Sequence, residues 1–168
     1  MSYFAVAVAR TGGHWTGVEV DLDEVDDLEG LTDLLRDLTE DGPGPALLLL
    51  EEDDEYVAIV RVDGGASSLG EPRVFLSDRR AVQASEVAAL LWEDGDADEE
   101  GDDDDEEDEG TRPVAEPVGD PDLLADLGTS RDQLLRLCAE EGLLPADVLT
   151  SICERAGCDD VLEELREG

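Results

Sequence analysis

Between Glu93 and Glu109, fourteen of seventeen residues are acidic, and the other three are Gly95, Ala97 and Gly101. Such a run has almost no apolar surface with which to offset the cost of ordering it, and its like charges repel and extend the backbone. With Pro113 and Pro117 closing it, the segment 93–118 reads as an acidic disordered linker. Folded structure must lie on either side. The organisation expected is an α+β domain over 1–92, the linker over 93–118 and a small helical domain over 119–168.

The N-terminal part predicts a mostly antiparallel sheet of four to five strands with two helices. Tyr3–Arg10 is a nearly continuous apolar run, as a strand covered on both faces should be. Thr11-Gly12-Gly13-His14 supplies a turn. Val18, Val20 and Leu22 then alternate with Glu19 and Asp21, which makes the pair a hairpin. Leu28, Leu31, Leu34, Leu35 and Leu38 fall at helical spacing after a group of acids, and Gly42-Pro43 marks the stop. Ala46–Leu50 and Tyr56–Val62 read as strands joined by an acidic tip, Glu51–Glu55, and Arg73–Leu76 as a fifth. Ser77 or Asp78 is placed to cap a helix through Val87, Leu90, Leu91 and Trp92.

Residues 119–168 read as all helix, in three or four short pieces. Ser130-Arg131-Asp132-Gln133 has the capping-box pattern. Pro145 suits a first helical turn. Val148, Leu149, Ile152, Cys153 and Ala156 form one apolar stripe, and Val161, Leu162 and Leu165 close the chain. About 50 residues is a marginal size for independent stability. This unit is expected to dock, either on the N-terminal domain or on a partner.

Charge narrows the function. The chain has 48 acidic residues against 11 basic ones, all of them Arg, for a formal net charge of −37. Nucleic-acid binding draws most of its affinity from cations that neutralise phosphate, and no basic cluster here exceeds Arg79-Arg80. Direct binding to nucleic acid or to an anionic membrane is not expected. The start of the chain lacks the pattern of a signal peptide, and its apolar runs fall far short of the about 20 residues a span needs. Three cysteines, all in the last third, argue against a disulfide framework and for a reducing cytoplasm.

The candidate chemical constellations are thin. Cys138, Cys153 and Cys158 have the number but not the paired spacing of zinc ligands, and two of them lie on apolar helical stripes where Cys acts as a small hydrophobe. His14 sits in a predicted turn with no nucleophile beside it. Asp96, Asp98, Glu100, Gly101 and Glu107 fall on positions of a calcium loop, but Asp103 occupies its apolar anchor position and no helix follows. There is no G-x-S-x-G, P-loop or dinucleotide-binding glycine pattern. No catalytic residue, cofactor or specific metal is therefore assigned. The most individual stretch is Arg73-Val74-Phe75-Leu76-Ser77-Asp78-Arg79-Arg80. Its Arg pair either offsets neighbouring carboxylates or, with Phe75 and Asp78, marks a partner-binding surface, since Arg and aromatic residues commonly anchor interfaces.

The opening YFAVAVAR, the segment RVFLSDRRAV, the acidic linker and the ending LLADLG…LLRLC…LPADVLTSICERAG resemble a family of actinobacterial proteins, the tRNA adenosine deaminase-associated proteins. That family is named for lying beside the deaminase gene, so the resemblance implies a protein partner and carries over no catalytic residue. The deaminase itself needs H-x-E followed by P-C-x-x-C for its zinc and proton transfer. Here His14 is followed by Trp15-Thr16, and no C-x-x-C exists. The expectation is a non-catalytic acidic accessory protein. The alternative is a nucleic-acid mimic that inhibits a basic nucleic-acid-binding protein.

Overall fold

The computed structural model describes residues 3–11, 13–39, 44–52, 55–63, 72–92, 117–140 and 143–167. Residues 93–116 of the acidic linker, the calcium-loop positions within it and the Gly42-Pro43 stop lie outside the described residues. Among the described residues six strands form one antiparallel sheet: β1 (Tyr3–Thr11), β2 (His14–Glu19), β3 (Pro45–Glu52), β4 (Tyr56–Asp63), β5 (Arg73–Leu76) and β6 (Val118–Gly119). Their order is β2-β1-β3-β4-β5-β6. The β1–β2 hairpin closes with Thr11 opposite His14, and Gly13 takes the positive φ of 87° that its turn requires. Helix α1 (Leu28–Leu38) carries the chain across β1 from β2 to β3.

The apolar runs of β1 and β3 are explained by cover on both faces. On the first face, Ala5, Ala7, Ala9, Ala46 and Ala58 present small side chains, and the fully buried Leu31 and Leu35 of α1 pack there. Asp27 starts that helix by accepting a 2.9 Å hydrogen bond from the Gly30 N–H. On the second face, Val6, Val8, Leu47, Leu49, Ile59 and Phe75 present larger side chains. They are covered by the C-terminal third: a 3-10 turn (Ala125–Leu127), α4 (Arg131–Ala139), α5 (Pro145–Ala156) and α6 (Asp159–Glu167). The fold is α+β, with a sheet between two helical layers. Of the two docking expectations for the C-terminal helices, the structure shows the first. They lie on the N-terminal sheet.

Local signals account for the ends of these helices. Ser130 and Gln133 make the reciprocal capping box, the Gln133 side chain accepting from Ser130 N–H at 3.0 Å. Pro145 occupies the first turn of α5, and the Asp147 carboxylate accepts from Leu144 N–H.

Three details differ from the sequence expectations. Val118 and Gly119, at the expected junction of linker and helical unit, form an edge strand on β5. The single helix after β5 is two, α2 (Ala81–Ala84) and α3 (Glu86–Leu91), broken at Ser85. Ser85, not Ser77 or Asp78, caps α3, its hydroxyl accepting from Val87 N–H and Ala88 N–H. The Ser77 hydroxyl instead accepts from Val57 N–H inside the sheet. Lastly, Glu51 and Glu52 are not part of a solvated tip but the buried end of β3, at 8% and 5% exposure.

Candidate interaction surface

The 73–80 segment turns at the end of β5. Ser77 N–H donates to the Val57 carbonyl at 2.9 Å and fixes the strand end. Asp78 then accepts from Arg80 three ways, from its backbone N–H at 3.0 Å, from Nε at 3.0 Å and from Nη2 at 2.6 Å. The carboxylate is only 14% exposed and the Arg80 side chain 50%. Asp78 thus neutralises and orients Arg80, while Arg79 stands exposed on the same turn. Phe75 is not with them. At 1% exposure its ring packs beneath the C-terminal helices, because β5 alternates and Phe75 falls on the covered second face. It leaves the candidate surface, which reduces to Asp78, Arg79 and Arg80.

Glu52 accepts from the Tyr56 hydroxyl at 2.8 Å and from the Ser85 hydroxyl. The cluster ties the end of β3 to the α2–α3 break, and its polar groups are spent on one another. The cysteines divide. Cys158 N–H and Gly157 N–H both donate to the Cys153 carbonyl, at 2.9 and 2.7 Å, and Gly157 has a φ of 95°. This is a helix end closed by a left-handed glycine, with both bonds on one carbonyl, and the Cys153 and Cys158 thiols meet across it. The hydrogen bond to Cys158 and burial both push the Cys153 thiol up, and burial pushes Cys138 up to about 12. Neither is a ready thiolate. Among the described residues no three His, Cys, Asp or Glu side chains gather as metal ligands would. His14 is exposed at the start of β2 rather than in the turn itself.

A family model described as Rv3753c-like tRNA adenosine deaminase-associated protein matches residues 3–159. The chain belongs to that family. No curated protein and no solved structure matches it. The match runs from β1 into the start of α6, so both layers of this deaminase-associated protein fall within it.

The residues that join those layers are ones sequence reasoning missed. Arg61, at 6% exposure, donates to both Asp126 oxygens at 2.6 and 2.9 Å, to Asp63 at 3.0 Å and to the Leu123 carbonyl at 2.6 Å. Hydrogen bonds to Asp126 hold the guanidinium above its ordinary value, and those from Arg61 hold the Asp126 carboxyl below its own. Arg73 pairs with Asp120 at 2.7 Å and Arg166 with Glu51 at 2.9 Å. Burial alone would raise the Asp120 carboxyl, but the bonds from Arg73 and from Asp122 N–H outweigh it and leave it low. Arg166 also lies 4.6 Å from the Phe4 ring centroid. The Trp15 indole donates to the Ala156 carbonyl at 3.1 Å. Apart from the local bonds of Arg61 to Asp63 and of Asp122 N–H to Asp120, these contacts cross from the part before the acidic run to the part after it. The available signal was Arg61 itself: a cation inside the apolar strand YVAIVRVD demands a buried acceptor.

Proposed function

We propose that this chain is a non-catalytic acidic accessory protein whose partner is tRNA adenosine deaminase or a related enzyme with a basic, tRNA-gripping surface. The family assignment over residues 3–159 carries the reading. The net charge of −37 supports it, since such a chain is drawn to a cationic surface through an association that salt weakens. The missing zinc and proton-transfer signature of the deaminase supports a role beside the enzyme rather than as a second copy of it. Among the described residues no helix is long and apolar enough to cross a membrane. Buried cysteines without a disulfide suit a reducing cytoplasm, where we place the protein. The test is co-purification with the deaminase. Capture at low salt that falls as salt rises is expected, and no binding in either condition removes the reading.

One feature favours a second reading. Helix α6 carries Asp160, Glu163, Glu164 and Glu167 exposed on ordered backbone, the kind of carboxylate array a nucleic-acid mimic uses. Competition separates the two. A mimic displaces tRNA from the deaminase, whereas an accessory protein leaves tRNA bound.

A further inference from the structure

Among the described residues the sheet has an unoccupied edge. Among the described residues β2 pairs only with β1. Val20 N–H donates to the Ala5 carbonyl, which fixes the phase of the strand. Backbone groups alternate along an antiparallel pair, so His14, Thr16 and Val18 also point their N–H and C=O at β1. Trp15, Gly17 and Glu19 therefore point theirs outward, presenting three donors and three acceptors to an incoming strand.

The two faces beside this edge differ. On the second face, Val161 and Leu165 of α6 lie over Gly17, so close that a Cβ there would meet them at 2.7 and 2.9 Å. Helical periodicity places Glu164 and Asp160 on the flank of α6 beyond Val161, and both are exposed. Glu19 shares that face of β2. On the first face, α1 packs over β1, β3 and β4 and leaves Val18 uncovered at 45% exposure.

We infer that the β2 edge is a strand-addition site for an extended, basic segment of a protein partner. The outward backbone groups of Trp15, Gly17 and Glu19 would supply the hydrogen bonds, as in other edge-strand recognition. Alternation supplies specificity. Every second side chain of the guest falls on the acidic face, where an Arg stem can lie on Val161 and its head reach Glu164 or Glu19. The intervening side chains fall beside Val18 and are apolar. A second copy of this chain is a poor guest, because two chains of −37 repel. Acidic surroundings thus guard the edge against self-association and admit a cationic strand.

The inference deepens the accessory reading and rests on it for the identity of the partner. The probe is a synthetic heptapeptide of alternating Arg and Val, set against the same residues in block order, with the full chain followed by amide hydrogen exchange. The alternating peptide is expected to slow exchange at Trp15, Gly17 and Glu19 at least tenfold, and the block peptide to leave these amides unchanged. Glu19→Pro removes an outward N–H at an edge position that tolerates Pro, and should weaken peptide binding at least tenfold. Val18→Lys, at an exposed position, is the second variant and should also weaken it, by setting a charged head beside the guest's apolar side chains. Equal protection by both peptides, protection elsewhere on the chain, or full affinity in both variants overturns the inference. Parallel capture of the deaminase separates the two readings. If wild type and Glu19→Pro capture it equally, the edge is not its site and the accessory reading survives. If only wild type captures it, both stand. If neither does, the accessory reading falls, and the exchange experiment alone decides the edge.

Discussion

Gly17 has no side chain because α6 rests on it. A Cβ would come within 3.0 Å of Val161, Leu165 and Val8, and the last of these lies inside the sheet core. Gly17→Ala should therefore destabilise the fold by about 1–3 kcal/mol through overpacking, read as a lower urea midpoint with an unchanged slope. Asp126 makes a different prediction, because its role depends on pH. Its folded-state pKa is lowered by Arg61 from an ordinary value of 3.8, so the folded chain holds fewer protons than the unfolded one near that pH. The stabilisation is complete above the unfolded value and is lost as pH falls through the folded one. Acidification also relieves repulsion among the 48 acids, so total stability alone is a poor readout. The gap between wild type and Asp126→Asn isolates the pair. It should be present at about pH 6 and shrink as pH falls below 3.8 and through the lowered folded value, and a gap that persists unchanged in acid would remove the ion pair as its source.

At the scale of elements, Ser85 does three jobs at once. It breaks the chain between α2 and α3, caps α3 and donates to the buried Glu52. Ser85→Ala should cost about 1 kcal/mol for the cap alone, and more because the buried Glu52 loses one donor and keeps the neutral Tyr56 hydroxyl. Amide exchange at Val87 and Ala88 should quicken while the central amides of β3 and β4 hold. Uniform acceleration across the sheet would show that the cluster supports the whole fold instead. This break was not legible in the sequence, since the window Ala81–Leu91 reads as helix former throughout and the reason to stop is a carboxylate 33 residues away. The elements that were legible are those with strong local pattern: the β1 run, the leucine spacing of α1 and the Ser130 capping box. β6 has only two residues and no pattern to find. The candidate surface was half legible for a related reason. Asp78 and Arg80 are joined by a local turn, but the burial of Phe75 depends on helices more than 45 residues further along the chain.

For the whole molecule, the acidic run separates two pieces of sequence that share one core. A continuous apolar strand says that both of its faces are covered but not by what, and here the second cover comes from beyond the run. The first piece alone would bare Val6, Val8, Leu47, Leu49, Val57, Ile59 and Phe75, a contiguous patch of the kind that drives aggregation. The second piece would bare the stripes of α5 and α6, with about 50 residues and no sheet to bury them. Residues 1–92 expressed alone should bind hydrophobic dye and aggregate, and residues 117–168 alone should give little helical signal by circular dichroism. Co-expressed, the two should purify together as a soluble one-to-one pair, because apolar burial and the Arg61, Arg73 and Arg166 pairs join them without the run. Such a pair would dissociate on dilution where the intact chain does not, since severing the tether removes its effective concentration, on the order of millimolar for a short linker and lower for a long one. A helical, monodisperse 117–168 that ignored the first piece would make the docking incidental. In that case the C-terminal helices, rather than the β2 edge they flank, would be the surface to test against the deaminase.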